Sequence, residues 1–407
     1  MSLRSTRFLL PTAIAISSCV IGGLPSRIAG GLDASGTVSP AVATATAAAS
    51  PTHPPPKPTP TETRVTSPLP VCAEPASVGL AEMQLAFVAE WDGDNEIYVI
   101  RGDGAGLRQI TSNSAHEAAP VWSPDGRQIA FTILGGSNAR TFTSQLHVAM
   151  ADGSDVRALA PDLQAFGVEW LPSGEQLSVG TADGLYAVSA ATGETTRLSR
   201  DPPGRLSPNG RMVAFAVDGS PDDRTDKLFV RNVDGTGMRE VGALQDHHIS
   251  EIAWRPHTDE ILLKMDPPGG WPALYSVTLD GTFTKLPVAS ESAPNQLRWA
   301  PDGTVLGYIR RTYGTNPQGQ AILLDSLYIA TPDGEFDFAV VEPPAVVEGD
   351  FPIGELVWAP DGRHITYSIR SGDEAVDLHV LDICGGSSSL VIESLGFHSD
   401  PSWQPLP

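Results

Sequence analysis

Short runs of alternating hydrophobic and polar residues recur along the chain, and each run leads into a turn that contains glycine. Ile97-Tyr98-Val99 precedes Asp103-Gly104, and Leu274-Tyr275-Ser276-Val277 precedes Asp280-Gly281. A period of two is the pattern of a half-buried strand, and Asp-Gly between two such strands predicts a hairpin because glycine accepts a positive φ. The same arrangement occurs again at 146–153, 185–193, 228–235, 327–334 and 378–386.

A Trp-x-Pro motif alternates with these hairpins. Its copies begin at Trp122, Trp170, Trp254, Trp299, Trp358 and Trp403, and Leu206-Ser207-Pro208 is a degenerate further copy. Another apolar strand, such as Ile129-Ala130-Phe131-Thr132, follows the motif. Each repeat therefore predicts four antiparallel strands, a to d, in about 45 residues, which is the size of one blade of a β-propeller.

The repeats predict an all-β fold, a seven-bladed β-propeller over residues 76–407. Strands b to d of one blade come before Trp122, and a lone strand a lies around Trp403. We therefore expect the N- and C-terminal strands to join in one blade and close the ring without an open sheet edge. Six blades is the alternative, because the unit near Leu206 is short and degenerate.

The motif Trp122-Ser123-Pro124-Asp125-Gly126, followed by strands of the Ile-Ala-Phe and Ile-Tyr-Val type, resembles the TolB-like propeller repeats of bacterial envelope proteins. The resemblance covers residues from about 80 to about 405. It implies the propeller fold and leaves the function open, since propellers serve as binders, scaffolds and enzymes. The family's namesake has a folded α/β domain before a six-bladed propeller, where this chain has low-complexity sequence.

The first 75 residues follow a different pattern. Residues 1–22 begin with Arg4 and Arg7 and continue into an apolar run too short to span a bilayer, which indicates an export signal. The sequence before Cys19 resembles a bacterial lipobox, and lipid attachment at Cys19, ordinary signal cleavage and an uncleaved N-terminal anchor are all open. Residues 23–75 are rich in Pro, Ala and Thr and predict a disordered tether. We expect an extracytoplasmic protein that is lipid-anchored in the cell envelope or secreted.

The formal net charge is −22, from 26 Lys and Arg against 48 Asp and Glu. This balance argues against a nucleic-acid partner, because affinity for phosphate backbones comes from clustered Lys and Arg. The 3 cysteines are too few for a four-thiolate zinc site. If Cys19 carries lipid, Cys72 and Cys384 remain, and an oxidising compartment favours a disulfide between them over two unrelated thiols. We expect a monomer.

The b–c and d–a connections lie on one face of a propeller, and here they are longer and more varied than the turns of the opposite face. We call this the loop-rich face. Polar residues lie there, just before the inner strands: His116, Glu117, His248, Glu251, Asn295, Glu355, His398 and Asp400. Imidazole and carboxylate groups together suit a divalent cation or the amines of a basic peptide. The alternative is that each residue bonds within its own loop or lies in water.

Two functions fit this pattern. The first is binding of a protein or peptide partner, basic in character, through the loop-rich face. The second is a metal-dependent enzyme of the polysaccharide lyase or hydrolase type, in which His116, His248 and His398 hold the cation. Binding is favoured, because the sequence has no Gly-x-Ser-x-Gly elbow, His-Glu-x-x-His helix or phosphate-binding Gly loop. No catalytic residue is assigned, and no cofactor is identified beyond this possible cation.

Overall fold

The computed structural model describes a set of residues that all lie within one compact unit, Pro58–Pro407. They are residues 61–62, 69, 72, 78–91, 93–136, 142–200, 204–219, 225–288, 292–344, 349–371, 375–393, 395–396 and 399–406. The expected export signal of residues 1–22, Cys19, most of the 23–75 tether and His398 lie outside these described residues. Within them, no helix is long and apolar enough to cross a membrane.

Seven antiparallel sheets of at least four strands each form the described structure, and we number them as blades in chain order. Blade 1 consists of a (Ser402–Trp403), b (Gln84–Ala89), c (Glu96–Arg101) and d (Arg108–Gln109). Blade 2 consists of His116–Trp122, Gln128–Gly135, Thr143–Met150 and Arg157–Ala158. Blade 3 consists of Gly167–Trp170, Gln176–Thr181, Gly184–Ser189 and Thr195–Ser199.

The remaining blades repeat the same a-to-d order. Blade 4 consists of Arg205–Leu206, Met212–Val217, Lys227–Asn232 and Arg239–Ala243. Blade 5 consists of His248–Trp254, Ile261–Asp266, Ala273–Val277 and Phe283–Lys285. Blade 6 consists of Ala293–Trp299, Leu306–Thr315, Ala321–Ala330 and Asp337–Glu342. Blade 7 consists of Ile353–Trp358, His364–Ser371, Ala375–Asp382 and Ser387–Ile392.

The prediction of a seven-bladed β-propeller is therefore confirmed, and the six-bladed alternative is wrong. The degenerate unit near Leu206 forms a complete blade 4 with a strand a of only two residues. In blade 1, strand a comes from the end of the described chain, and Leu85 lies opposite Trp403 in the pairing of strands b and a. A 3₁₀ turn, Leu80–Glu82, precedes strand b of this blade.

The motif tryptophans hold neighbouring blades together. Each ends a strand a, and four of them donate a hydrogen bond from indole Nε1 to a strand-a carbonyl of the preceding blade. The donor and acceptor pairs are Trp122 with Ser402 (3.0 Å), Trp170 with Val121 (3.1 Å), Trp254 with Arg205 (2.8 Å) and Trp358 with Arg298 (2.9 Å). The acceptor is always the residue just before the tryptophan position of its own blade. Blade 4 has Leu206 at that position and so has no indole to donate.

Apolar side chains fill the space between the blades. One cluster joins Leu85, Phe87 and Trp403 of blade 1 to Leu378 and Val380 of blade 7. Because each strand alternates, one set of side chains reaches one neighbouring blade and the other set reaches the opposite neighbour. Truncating a large buried side chain in such a cluster costs about 3 to 5 kcal/mol.

A segment before blade 1 fastens to the outer side of blades 6 and 7. Thr61–Glu62 adds a fifth strand to blade 6, with Thr61 opposite Glu342 and Glu62 opposite Val341. Leu69 is fully buried in the cluster that joins blades 6 and 7. Cys72 then forms a disulfide with Cys384, as the sequence predicted, with a Cα to Cα distance of 5.5 Å. The bond lies in the c–d turn of blade 7.

Candidate functional site at the axis and the loop-rich face

The strands a lie side by side round the axis, and several of them are bulged. The register shifts within strand a of blades 2, 5, 6 and 7. Three positive φ values belong to residues that each lie three positions before their tryptophan. They are 51° for Ala119, 58° for Gln296 and 37° for Asp400. A bulge leaves backbone N–H groups without a ladder partner, so these groups need another acceptor.

Carboxylates from the preceding blade supply that acceptor. Glu251, Glu355 and Asp400 all stand three residues before their tryptophan. Glu251 Oε1 accepts from the Leu297 N–H (2.8 Å), and Asp400 Oδ2 accepts from the Ala119 N–H (3.0 Å). Glu355 accepts from the backbone N–H of Asp400 and from the Ser399 hydroxyl. Three of the predicted site residues therefore occupy one repeat position and bridge successive blades.

Two arginines face carboxylates of the preceding blade. Arg298 lies just before Trp299, and Arg205 lies just before Leu206, which replaces the tryptophan in blade 4. Arg298 Nη1 lies 3.5 Å from Glu251 Oε1, and Arg205 Nη1 lies 3.8 Å from Glu169 Oε1. Burial lowers the pKa of Arg298, the nearby charge of Arg205 lowers it further, and the charges of Glu251 and Glu355 oppose this shift. Arg298 of blade 6 thus interacts with blades 4, 5 and 7, which places these side chains round the axis.

Three further axial residues were not among the predicted site residues, namely Glu169, Arg205 and Arg298. A signal was available, because all three lie directly before the repeat position of the tryptophan. The pKa of Glu169 is raised by burial, and the charge of Arg205 opposes that shift. The axis therefore carries both signs of charge, with carboxylates from blades 1, 3, 5 and 7 and guanidinium groups from blades 4 and 6.

Glu355 lies close to Asp400, at the boundary between blades 7 and 1. Burial raises the pKa of Glu355 to about 8, and the charge of Asp400 and a hydrogen bond between the two carboxyl groups raise it in the same direction. The Ser399 hydroxyl bond acts in the opposite direction. The Glu355–Asp400 pair therefore keeps one proton at neutral pH, and that proton can form a hydrogen bond between the two carboxyl groups.

Glu117 is fully buried and lies against Glu96 of blade 1, away from the solvent of the loop-rich face. Its Oε1 accepts from the Asn113 side-chain amide at 2.7 Å. Burial raises the pKa of Glu117 to about 7, and the charge of Glu96 adds to the shift. A ligand at the surface does not reach this carboxyl group.

The two described histidines of the predicted metal set are held by separate neighbours. His116 is exposed, and its Nδ1 accepts from the Asn95 N–H at 3.3 Å. His248 Nδ1 lies 2.5 Å from Oδ2 of the buried Asp226. The structure brings His248 together with Asp218 and Asp226, whose ligand atoms all lie within 4.8 Å of one another, and His116 is not in that group. His398 lies outside the described residues.

Asn295 of blade 6 is engaged at both ends of its amide. Its Oδ1 accepts from Lys264 Nζ (3.1 Å), and its Nδ2 donates to the Ala293 carbonyl (3.1 Å). Lys264 belongs to strand b of blade 5. Asn295 thus links two neighbouring blades.

Four large aromatic side chains stand exposed on the loop-rich face, in or beside the b–c connections. Their exposed fractions are 41% for Trp91, 42% for Phe142, 55% for Trp271 and 74% for Tyr313. Trp91 packs on Tyr98 with ring centroids 4.5 Å apart, so it is held by the core of blade 1. The exposure of these side chains depends on which side of each connection faces the protein.

The fold and the axial charges define the class of protein, a seven-bladed β-propeller with a polar axis and an aromatic loop-rich face. The sequence profile of the TolB beta propeller domain matches residues 81–258. This part of the chain is similar to that domain, and the TolB-like resemblance seen in the repeats is confirmed.

Individual relatives match parts of the chain. The Tol-Pal system protein TolB of Desulfosudis oleivorans is 41% identical over 54 residues, which are 13% of this chain and 12% of that protein. The TolB homolog of Chlorobium chlorochromatii is 30% identical over 139 residues, 32% of this chain and 30% of that protein. The matched part is therefore less than a third of either relative.

Two solved structures share the fold. Oligogalacturonate lyase in complex with manganese has a TM-score of 0.56 and 15% identity, over 76% of this chain and 85% of that one. Puromycin hydrolase has a TM-score of 0.54 and 18% identity, over 82% of this chain and 56% of that one. At these identities the likeness concerns the fold alone.

Proposed function

We propose that this chain is an extracytoplasmic β-propeller that binds a protein or peptide partner through its loop-rich face. The observation that carries the proposal is the group of exposed aromatic residues on that face, Trp91, Phe142, Trp271 and Tyr313. Aromatic side chains are enriched in protein interfaces, because they bury a large area at a small cost in conformational entropy. The Desulfosudis relative is named as a protein of the Tol-Pal system, which supports a protein partner.

The partner is basic in this proposal. The net charge of −22 attracts cations over a distance and speeds their association. At the axis, Glu251 offers a carboxylate, and the Glu355–Asp400 pair, which keeps one proton at neutral pH, offers a single further negative charge. Arg298 and Arg205 offset part of the axial charge. A lysine or arginine side chain placed over an exposed aromatic ring gains a further cation–π interaction.

The proposed location is outside the cytoplasm, with the chain tethered to a membrane through the N-terminal region or secreted. The Cys72–Cys384 disulfide supports this location, because disulfides persist in oxidising compartments. Lipid attachment at Cys19 is the proposed form of anchoring, and a monomer is the proposed state. The proposal assigns no role to nucleic acid.

The test compares capture of envelope proteins by three forms of residues 58–407, which keep both disulfide cysteines. They are the wild type, the variant Trp271→Ala/Tyr313→Ala, and the control Leu107→Ala/Met238→Ala, which removes exposed side chains next to the c–d turns of the opposite face. We expect quantitative cross-linking to find a partner that the wild type and the control retain and the aromatic variant loses. Equal capture by all three forms contradicts the proposal.

A metal-dependent enzyme is the second candidate, and the group of Asp218, Asp226 and His248 is the observation that favours it. One imidazole and two carboxylates suit Mn²⁺ or Zn²⁺. Native mass spectrometry with added Mn²⁺, on wild type and on His248→Ala, tests this candidate. A bound metal that the variant loses justifies assays on acidic polysaccharides, and the absence of metal in the wild type eliminates the candidate.

A further inference from the structure

Blade 1 meets each of its neighbours at a pair of carboxyl groups. Glu96 of its strand c lies against Glu117 of blade 2, and Asp400, just before its strand a, lies against Glu355 of blade 7. Blade 1 is also weakly built, because its strands a and d have two residues each. At the boundary with blade 7, the buried Trp403 Nε1 finds no hydrogen-bond acceptor among the described residues.

The pair between blades 1 and 2 is fully buried. Glu96 Oε1 accepts from the Asn113 backbone N–H (2.5 Å), and Glu117 Oε1 accepts from the Asn113 side chain (2.7 Å). The other oxygen of each carboxyl, Oε2, is buried and receives no N–H or O–H from the residues that the structure describes. The groups that act on Glu117 are Asn113 and Glu96, with no cationic side chain. One proton shared between the two carboxyl groups satisfies both.

The pair between blades 7 and 1 is arranged in a similar way. Asp400 Oδ2 accepts from the Ala119 N–H at 3.0 Å, and Glu355 accepts from the Ser399 hydroxyl. Arg298 is a cationic group across the axis, and the charge of Glu355 raises the pKa of Arg298. Asp400 Oδ2 and Glu355 Oε2 both act as acceptors in these bonds. A proton on one carboxyl group would therefore provide the donor for the hydrogen bond between the two groups.

We propose that two shared protons, one in each carboxyl pair, join blade 1 to both of its neighbours, so that the ring closes tightly below neutral pH and loosens at blade 1 in alkaline solution. Loss of either proton leaves two adjacent anions, which repel each other. The Glu96–Glu117 pair is fully buried, so its two charges would also be poorly solvated. The weak strands of blade 1 make this blade the part of the ring that opens first.

The direction of the pH dependence follows from the titration of the two states. The pKa of Glu117 is about 7 and that of Glu355 about 8 in the folded chain, against an ordinary value of 4.5. The folded state therefore binds more protons than the unfolded state between about pH 4.5 and about pH 8, and the stability of the fold decreases with rising pH across that range. Above the folded pKa values this contribution no longer changes.

The test follows thermal unfolding of the full chain, with its disulfide intact, from about pH 5 to about pH 9. The variants are Glu117→Gln and Glu355→Gln, since an amide can donate to the neighbouring carboxylate without a titrating proton, and Glu335→Gln is an exposed control. We expect the wild type and the control to lose on the order of 5 °C in Tm from pH 6 to pH 9. Each amide variant keeps a flatter profile and exceeds the wild-type Tm at pH 9.

Two further measurements need only the wild-type chain. Infrared spectra in D₂O show a protonated carboxyl band that persists at pH 7 and disappears by about pH 9. Hydrogen exchange, corrected for the intrinsic rate, accelerates at high pH in residues 84–89 more than in the matching strand of blade 5. The proposal is overturned if the amide variants follow the control profile or if no protonated band is present at pH 7. It is also overturned if adding a chelator changes the pH profile of the wild type, because a bound metal ion would then neutralise the carboxyl pairs.

Discussion

The indole Nε1 of Trp358 donates a hydrogen bond to the backbone carbonyl oxygen of Arg298, 2.9 Å away across the boundary between blades 6 and 7. Arg298 is the residue directly before Trp299, so the bond joins equivalent positions of successive repeats. The Nε1 atom of Trp299 is buried and makes no such bond within the described structure, and Arg255 lies over the half-buried ring at 5.2 Å instead. The same residue type thus has two roles in neighbouring blades.

Because of this difference, we expect a Trp→Phe substitution to destabilise the fold by different amounts at positions 358 and 299. Trp358→Phe removes the indole donor to the Arg298 carbonyl, whereas Trp299→Phe removes no hydrogen bond from its indole. Both substitutions remove the same ring atoms, so we expect Trp358→Phe to lower the free energy of unfolding by about 1 to 2 kcal/mol more than Trp299→Phe. Urea denaturation measures both values, and equal costs contradict a stabilising role for the indole bond.

We expect loss of the disulfide to lower the stability of the fold strongly. Cys72 and Cys384 are separated by 312 residues in the sequence, so their bond restricts a long loop in the unfolded chain. We expect Cys72→Ser/Cys384→Ser to lower the free energy of unfolding by about 2 to 5 kcal/mol. Denaturant titration measures the loss, and Cys19→Ser serves as the matched control. A double variant as stable as that control shows that the bond contributes nothing.

A buried carboxylate in blade 7 predicts a loss of stability in acid. Burial by itself raises the pKa of Asp361, but the hydrogen bond from His364 and the N–H groups of Arg363 and His364 lower it below its ordinary 3.8. The folded state then binds fewer protons than the unfolded state, so this contribution is present above about pH 4 and is lost as the pH falls through the folded pKa.

We therefore expect Asp361→Asn to lower the free energy of unfolding by about 2 kcal/mol at pH 7 and by much less near pH 3. Denaturant titrations at both pH values measure the difference, and Asp302→Asn, in the equivalent turn of blade 6 without a histidine partner, is the control. A cost that does not change with pH excludes the titration of Asp361 as its cause.

The proposed preference for basic partners predicts salt-sensitive binding. A lysine-rich peptide of about ten residues binds at about 50 mM NaCl, and its Kd rises at least about tenfold by about 300 mM, because ions screen the attraction to the acidic surface. Calorimetry with a glutamate-rich peptide of equal length is the control. Binding of both peptides with the same affinity refutes charge as the basis of selection.

The sequence by itself determined the fold. Alternating strands, glycine turns and the Trp-x-Pro spacing are local signals that repeat in register, so the blades follow from the period alone. Even the degenerate unit at Leu206 forms a blade, because its strands b to d keep the alternating pattern and its neighbours supply the packing. The pairing of Cys72 with Cys384 also followed, since few cysteines are present.

Only the tertiary structure decided how the polar residues meet. Glu251, Glu355 and Asp400 share a repeat position and lie together at the axis, whereas His116 and His248 bond to different loops. The pairing of Glu96 with Glu117, and the exposure of Trp271, depend on contacts between residues that belong to different elements. Local periodicity predicts which side of a strand is buried. The residues that a side chain contacts depend on how the blades pack against one another, and no single repeat contains that information.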